Sequence, residues 1–390
     1  MKKILIVSTE IVKDKYSCSL ITAKVVEELS RKHHVDVVTE WMAVFNFEHN
    51  IQNIWVTQKP FLYDVCRSRG GKRIFATLKF RYDKIIRTLA FRKLIKKINF
   101  NSYDYVIAFG GGDFFIAHRV LSEFSMKAKL WGYIHDPYPS QVYPYPYYSE
   151  ETKKTKAELE LYQKVFEQYD TLWFPSTLLA HHMQKFYHYS DAKVFVFPHL
   201  LPNIDVKKIP VETEKLNEYG VVCNHFFIHA GTILPPRKID TLIQAFSKLK
   251  EDKKIAQELK LLFVGNINYD YQHLLGIKDV ILIDRRVPYN EINMLCKAAK
   301  ALLIIEHDGN FSPFLPGKFP EYLAFKKPIM HFGPKHSEIN FICGEEHNSF
   351  SAPLTDFEAI SKVLLHGGEP LSENEKIMSH FNIERLIASF

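Results

Sequence analysis

Short apolar runs alternate with longer amphipathic stretches along nearly the whole chain. Residues 3–8 read Lys-Ile-Leu-Ile-Val-Ser, with no polar position inside the run. That is the pattern of a strand buried on both faces. Residues 19–31 then place Ile21, Val25, Val26 and Leu29 on one helical face. Further strands are predicted at 34–39, 105–109, 130–134, 171–175 and 193–197, with a helix at 155–168. A second series follows, with strands at 226–230, 259–264, 280–283, 301–305 and 328–331. Its helices are predicted at 240–250, 291–299 and 319–324. Strand and helix in alternation imply a parallel sheet with crossover helices.

Two such series predict an α/β fold of two Rossmann-like domains facing across a cleft. Ligands of such sheets bind outside the carboxyl ends of the strands. The polar, proline-containing stretch 202–218 reads as the link between the domains. The boundaries expected are 1–202 for the first domain and 203–375 for the second. Residues 376–390 read as a C-terminal helix packing back on the first domain.

Composition narrows the class. The chain has 390 residues, enough for two cores, and 46% hydrophobic against 24% charged residues, an ordinary globular balance. Cys18, Cys66, Cys223, Cys296 and Cys343 are scattered and form no C-x-x-C pair, so they read as buried thiols of a reducing compartment. The first apolar run is too short for a signal-peptide core, and no run approaches the roughly 18–20 residues that span a bilayer. A cytoplasmic protein is expected. The net charge of +7 is local: between Arg67 and Lys97 lie twelve Lys/Arg and one acid, Asp83. Their interleaving with Ile74, Phe75, Leu78, Ile85, Leu89 and Phe91 reads either as a solvated helical face or as a surface for an anionic membrane. No nucleic-acid-binding motif accompanies it.

Three blocks of the second half carry the candidate chemistry. The first runs Gly231-Thr232-Ile233-Leu234-Pro235-Pro236-Arg237-Lys238 to Ala245-Phe246: strand, glycine turn, cation, helix. A glycine admits a phosphate close to the backbone, and a nearby cation neutralises it. The second is Leu261 to Gly265, then Arg286-Val287-Pro288-Tyr289 and Glu291. The third is Phe311-Ser312-Pro313-Phe314-Leu315-Pro316-Gly317-Lys318-Phe319-Pro320-Glu321, followed by Lys327-Pro328.

In this order and spacing the blocks resemble the GT-B glycosyltransferases, in particular the retaining glycosyltransferase family 4. The resemblance implies an NDP-sugar donor in the second domain, a retaining reaction, and no cofactor or metal. It places Arg237 at the diphosphate, Gly265 and Val287 along the base, and Glu321 on the ribose hydroxyls. Gly231 and Thr232 lie at the turn, and the amides of Gly317 and Lys318 face the diphosphate. The family's first carboxylate of its E-x7-E motif falls on Pro313, so Glu306 or Asp308 is the expected substitute.

In the first half, Trp131 to Pro137 is similar to the family strand that ends in a sugar-contacting histidine. It makes His135 a catalytic candidate with Asp136 beside it, and Arg237 and Lys318 the groups that stabilise the departing diphosphate. Gly111, in Gly110-Gly111-Gly112-Asp113, is expected to line the acceptor side, because G-x-G-x-x-G is not completed. His199 and a loop of five Tyr among prolines, from Tyr138 to Tyr148, adjoin this region. The acceptor is expected to be a saccharide or lipid-linked saccharide, with a peripheral position on the membrane, in bacterial surface polysaccharide synthesis. The rival readings are a sugar-nucleotide epimerase on the same fold and a non-catalytic partner subunit.

Overall fold

The computed structural model describes residues 1–12, 17–67, 79–110, 115–344 and 349–390. The chain forms two compact units. The first comprises Met1–Tyr143, Ser149–Leu200 and Ile383–Phe390; the second comprises Pro144–Tyr148 and Leu201–Asn382.

The first unit is a seven-stranded sheet of β1 (Lys3–Ser8), β2 (His34–Thr39), β3 (Ile51–Val56), β4 (Tyr105–Gly110), β5 (Lys129–Ile134), β6 (Thr171–Phe174) and β7 (Val194–Val196). The order is β3-β2-β1-β4-β5-β6-β7 and every neighbouring pair is parallel. Chain direction across the sheet reverses between β1 and β4, which opens a crevice at their carboxyl ends. Ile4 and Ile6 pack into one core and Leu5 and Val7 into the other, because successive strand side chains face opposite ways. That is why the run carries no polar interior position. β3 escaped sequence reading because it is an edge strand whose Gln52 and Asn53 face solvent.

The second unit is built alike, from β8 (Phe226–Ala230), β9 (Lys260–Val264), β10 (Val280–Ile283), β11 (Ala301–Ile305), β13 (Ile329–Phe332) and β15 (Ser351–Ala352). A separate two-strand ladder joins β12 (Phe311–Ser312) to β14 (His336–Ser337). The main order is β10-β9-β8-β11-β13-β15, again all parallel, with its reversal between β8 and β11. Leu302 and Ile304 enter one core while Leu303 and Ile305 enter the other.

Two expectations change. The stretch 202–218, read as the link, belongs to the second unit: Ile204, Val206, Ile209 and Val211 pack on the second core, and Leu216 of the helix Thr213–Glu218 is buried in it. Its polar residues are the outward half of an alternating pattern. At the other end, the helix Glu375–His380 stays with the second unit through Ile377, and only Ile383–Phe390 joins the first. There Leu386 and Phe390 are buried, with Phe390 against Tyr105 and Trp131.

Candidate active site

Every described candidate in the second unit lies on a segment leaving the carboxyl end of a strand. Gly231 follows β8, Gly265 follows β9, Val287 follows β10, and Glu306 to Asp308 follow β11. Gly265 is held there by sterics. Its φ is +134°, and a Cβ would stand 2.3 Å from the Gly231 carbonyl oxygen, so no other residue fits without moving the turn. Gly231 in turn donates its amide to Val264 at 2.8 Å. The two glycines thus keep adjacent strand ends in backbone contact. Thr232 is exposed beside them, and Val287 packs part-buried on the core.

The cations converge. Arg237 Nε donates to the Tyr147 hydroxyl at 3.1 Å, which orients the guanidinium. Tyr147 meets His307 edge-on at a centroid separation of 5.1 Å and Phe314 at 6.0 Å. Lys318, in the first turn of the helix Lys318–Ala324, reaches Glu321 at 2.8 Å. Burial opposes the charge on Lys318, but the Glu321 carboxylate outweighs it and raises the lysine's pKa. Glu321 is 6% exposed, a depth that an acidic residue occupies with partners. Gly317 has open space where a Cβ would stand, so its surface is accessible to a ligand.

Two histidines report the local potential. His229, in β8, is lowered to about 4, first by burial and then by Arg237 and Lys318. Neutral, it donates Nδ1–H to the Leu303 carbonyl at 3.0 Å. His307 is also lowered, chiefly by burial, with Arg237 again contributing. At His229 both neighbouring charges are positive, the electrostatic requirement of an anion site, whereas at His307 Glu306 opposes Arg237. The sequence signal for His229 was a polar residue inside an otherwise apolar strand; for Tyr147 it was the tyrosine-rich loop.

Glu306 does not take the place of the carboxylate missing at Pro313. Its Oε1 accepts from His331 Nε2 at 2.9 Å and its Oε2 accepts from Ser312 Oγ. His331 Nδ1 is 2.9 Å from Ser351 Oγ, and both Glu306 and His331 are buried. This is a structural network tying β11, β12, β13 and β15. Asp308 is exposed and accepts from Thr355 at 3.3 Å.

In the first unit, His135 leaves the end of β5 with Asp136 3.7 Å away. Its ring stacks on Tyr133 at 6.3 Å and lies 5.3 Å from His199, whose Nδ1 is 2.9 Å from the Tyr133 hydroxyl. Burial disfavours a charged His135, but Asp136 and then Cys18 outweigh it and raise its pKa. Cys18 was read from sequence as a buried thiol; it is part-exposed, and the fold brings it to this histidine. Gly111 lies outside the described residues. Of the basic segment, Arg87 is buried against Glu40 at 2.9 Å, Arg92 pairs with Glu123, and Lys84 meets Glu158 at 2.9 Å. These cations serve the unit's own packing, while Ile85 and Leu89, one turn apart, are exposed. A groove of about 710 Å³ opens beside them, lined by Lys84, Leu89, Arg119, Lys154 and Leu161 among others.

Two doubly wound parallel units, each with its candidate residues at the carboxyl ends, define the GT-B fold of glycosyltransferases. Solved structures of that fold align over the whole chain. HepE of Anabaena, in complex with UDP and glucose, has a TM-score of 0.60 at 13% identity, covering 100% of both chains. A glycosyltransferase from Rickettsia africae ESF-5 gives 0.63 at 12%, covering 100% of this chain and 96% of that one. The UDP-forming α,α-trehalose-phosphate synthase of Burkholderia xenovorans, in complex with glucose-6-phosphate, gives 0.62 at 8%, covering 99% of each. No curated protein matches the sequence. Residues 21–201 match Glycosyltransferase Family 4. The first unit is therefore similar to family 4 domains, and this match with the shared fold makes the chain a glycosyltransferase. Among the described residues no helix is long and apolar enough to cross a membrane.

Proposed function

We propose that the chain transfers a sugar from a nucleoside diphosphate sugar, held by the second unit, to a saccharide or lipid-linked saccharide. The observation that carries this is that Arg237 and Lys318, the latter paired with the buried Glu321, both act on His229 in β8. Arg237 and Lys318 meet the diphosphate and stabilise the charge it gains as the glycosidic bond breaks. Glu321 accepts from the vicinal ribose hydroxyls, a match of one carboxylate to a diol. In this reading the Lys318–Glu321 pair opens on binding: the ammonium turns to phosphate and the carboxylate to ribose. The UDP complex of HepE, which shares the fold, supports a uridine donor.

Two cations at the leaving group supply the neutralisation that a divalent ion provides in other transferases, which supports metal-independent transfer. The tied state of Glu306 supports it further. The family resemblance of the strand ending at His135 supports a hydrogen bond from this histidine to a sugar hydroxyl and a reaction that retains the anomeric configuration. The groove of cations and exposed Leu89 suits an anionic, lipid-linked acceptor at the cytoplasmic membrane surface, as in surface polysaccharide synthesis. The test is transfer from UDP-sugars to membrane-extracted acceptors after exhaustive EDTA treatment. Persistent transfer, abolished by Glu321→Ala, is the expected result. Conversion of UDP-sugar with no acceptor points to an epimerase instead, and loss of transfer restored by Mg²⁺ overturns the metal-free mechanism.

A further inference from the structure

Three kinds of metal ligand meet at the carboxyl end of β5. The Cys18 thiol, from the first turn of the helix Ser17–Lys32, and the His135 and Asp136 side chains place their donor atoms within 4.8 Å of one another. His135 Nε2 and Asp136 Oδ2 stand 3.7 Å apart, too far for a hydrogen bond. That spacing suits two ligands of one tetrahedral ion. With Zn–N and Zn–O near 2.0–2.2 Å and Zn–S near 2.3 Å, neighbouring ligand atoms lie roughly 3.3–3.8 Å apart. The widest separation allowed by the structure closes to that range with a shift of about 1 Å, less than a change of side-chain rotamer provides. His135 is nine-tenths buried, and its Nδ1 has no hydrogen-bond partner among the described residues. The ring is already hydrogen-bonded to the Cys18 side chain, so two of the three ligands are in contact.

We propose that Cys18, His135 and Asp136 bind one Zn²⁺ ion, with solvent completing a four-coordinate shell. Thiolate and carboxylate together neutralise the ion, and a mixed sulfur, nitrogen and oxygen set selects zinc over magnesium. Binding displaces the thiol proton and requires a neutral imidazole, so affinity rises with pH. The ion is not needed for transfer. Its consequence is inhibition, because an imidazole held by zinc is withdrawn from the donor sugar. That second part rests on the role proposed for His135.

The test is titration of the reduced full-length protein with Co²⁺ alone, followed by Zn²⁺. One Co²⁺ per chain with a thiolate-to-cobalt absorption band, displaced by Zn²⁺, is expected. The band disappears in Cys18→Ser and persists in Cys223→Ser, whose cysteine is exposed. Circular dichroism and thermal unfolding of Cys18→Ser that match wild type check that the variant is folded. A band that survives Cys18→Ser, that needs Cys223, or that never appears overturns the site whether or not nucleotide binds. Zinc binding without loss of transfer keeps the site and overturns the inhibitory role.

Discussion

Glu306 separates a structural carboxylate from a catalytic one, and the two assignments give opposite results on removal. In Glu306→Ala, His331 Nε2–H and Ser312 Oγ–H lose their acceptor inside a region closed to water. A buried donor left unsatisfied costs about 1–3 kcal/mol, so the two together cost about 2–6 kcal/mol before any cavity is counted. For a unit spanning Leu201–Asn382, each kcal/mol moves the midpoint by about 2–4 °C, so a fall of roughly 4–24 °C is expected. The assay is thermal unfolding with and without UDP, followed by a UDP titration well below the new midpoint. The nucleotide Kd should stay within about threefold of wild type, since Glu306 faces the sheet network and not Arg237 or Glu321. An unchanged midpoint with transfer abolished would refute this and return Glu306 to the sugar.

Two further outcomes follow from the same geometry. His229 holds a folded-state pKa of about 4 against about 6.5 unfolded, so between these values the unfolded chain binds the extra proton. Stability of the second unit is therefore expected to fall as pH drops from 6.5 to 4, by up to about 3 kcal/mol, and the fall should flatten in His229→Gln. Urea unfolding at stepped pH measures this, and an unaltered slope in the variant contradicts it. Tyr147→Phe removes the hydrogen bond that orients Arg237 while keeping the ring between His307 and Phe314. UDP affinity should weaken by about 0.5–1.5 kcal/mol, roughly 2–10-fold, with little change in melting; no change places Tyr147 outside the donor site.

Much of the fold was legible because parallel strands buried on both faces leave uninterrupted apolar runs. β1, β8 and β11 have bounds close to those runs. What periodicity could not resolve were elements too short or too exposed to show a period: β3 at an edge, the two-residue strands β12, β14 and β15, and the stretch 202–218 with its buried alternate positions. The residues proposed for the donor were legible as motifs: the turn demands glycine at Gly265, and Arg237 and Lys318 are cations inside ordered blocks. Their partners were not. Tyr147 lies 90 residues from Arg237 and Cys18 lies 117 from His135, so only the folded chain brings them together. Glu306 and Asp308 look alike in sequence. Burial alone separates the carboxylate that holds the sheet from the one that faces solvent.

The central claim is that the second unit holds a nucleoside diphosphate through Arg237, Lys318 and Glu321. Isothermal titration of UDP into the metal-free wild-type protein and into Glu321→Ala tests it most directly. A hydrogen bond to a charged group contributes about 1.5–3 kcal/mol, so the variant should bind roughly 10–150-fold more weakly than a one-to-one wild type. Equal affinity in the two proteins, or no heat from wild type with any nucleoside diphosphate, would contradict the account.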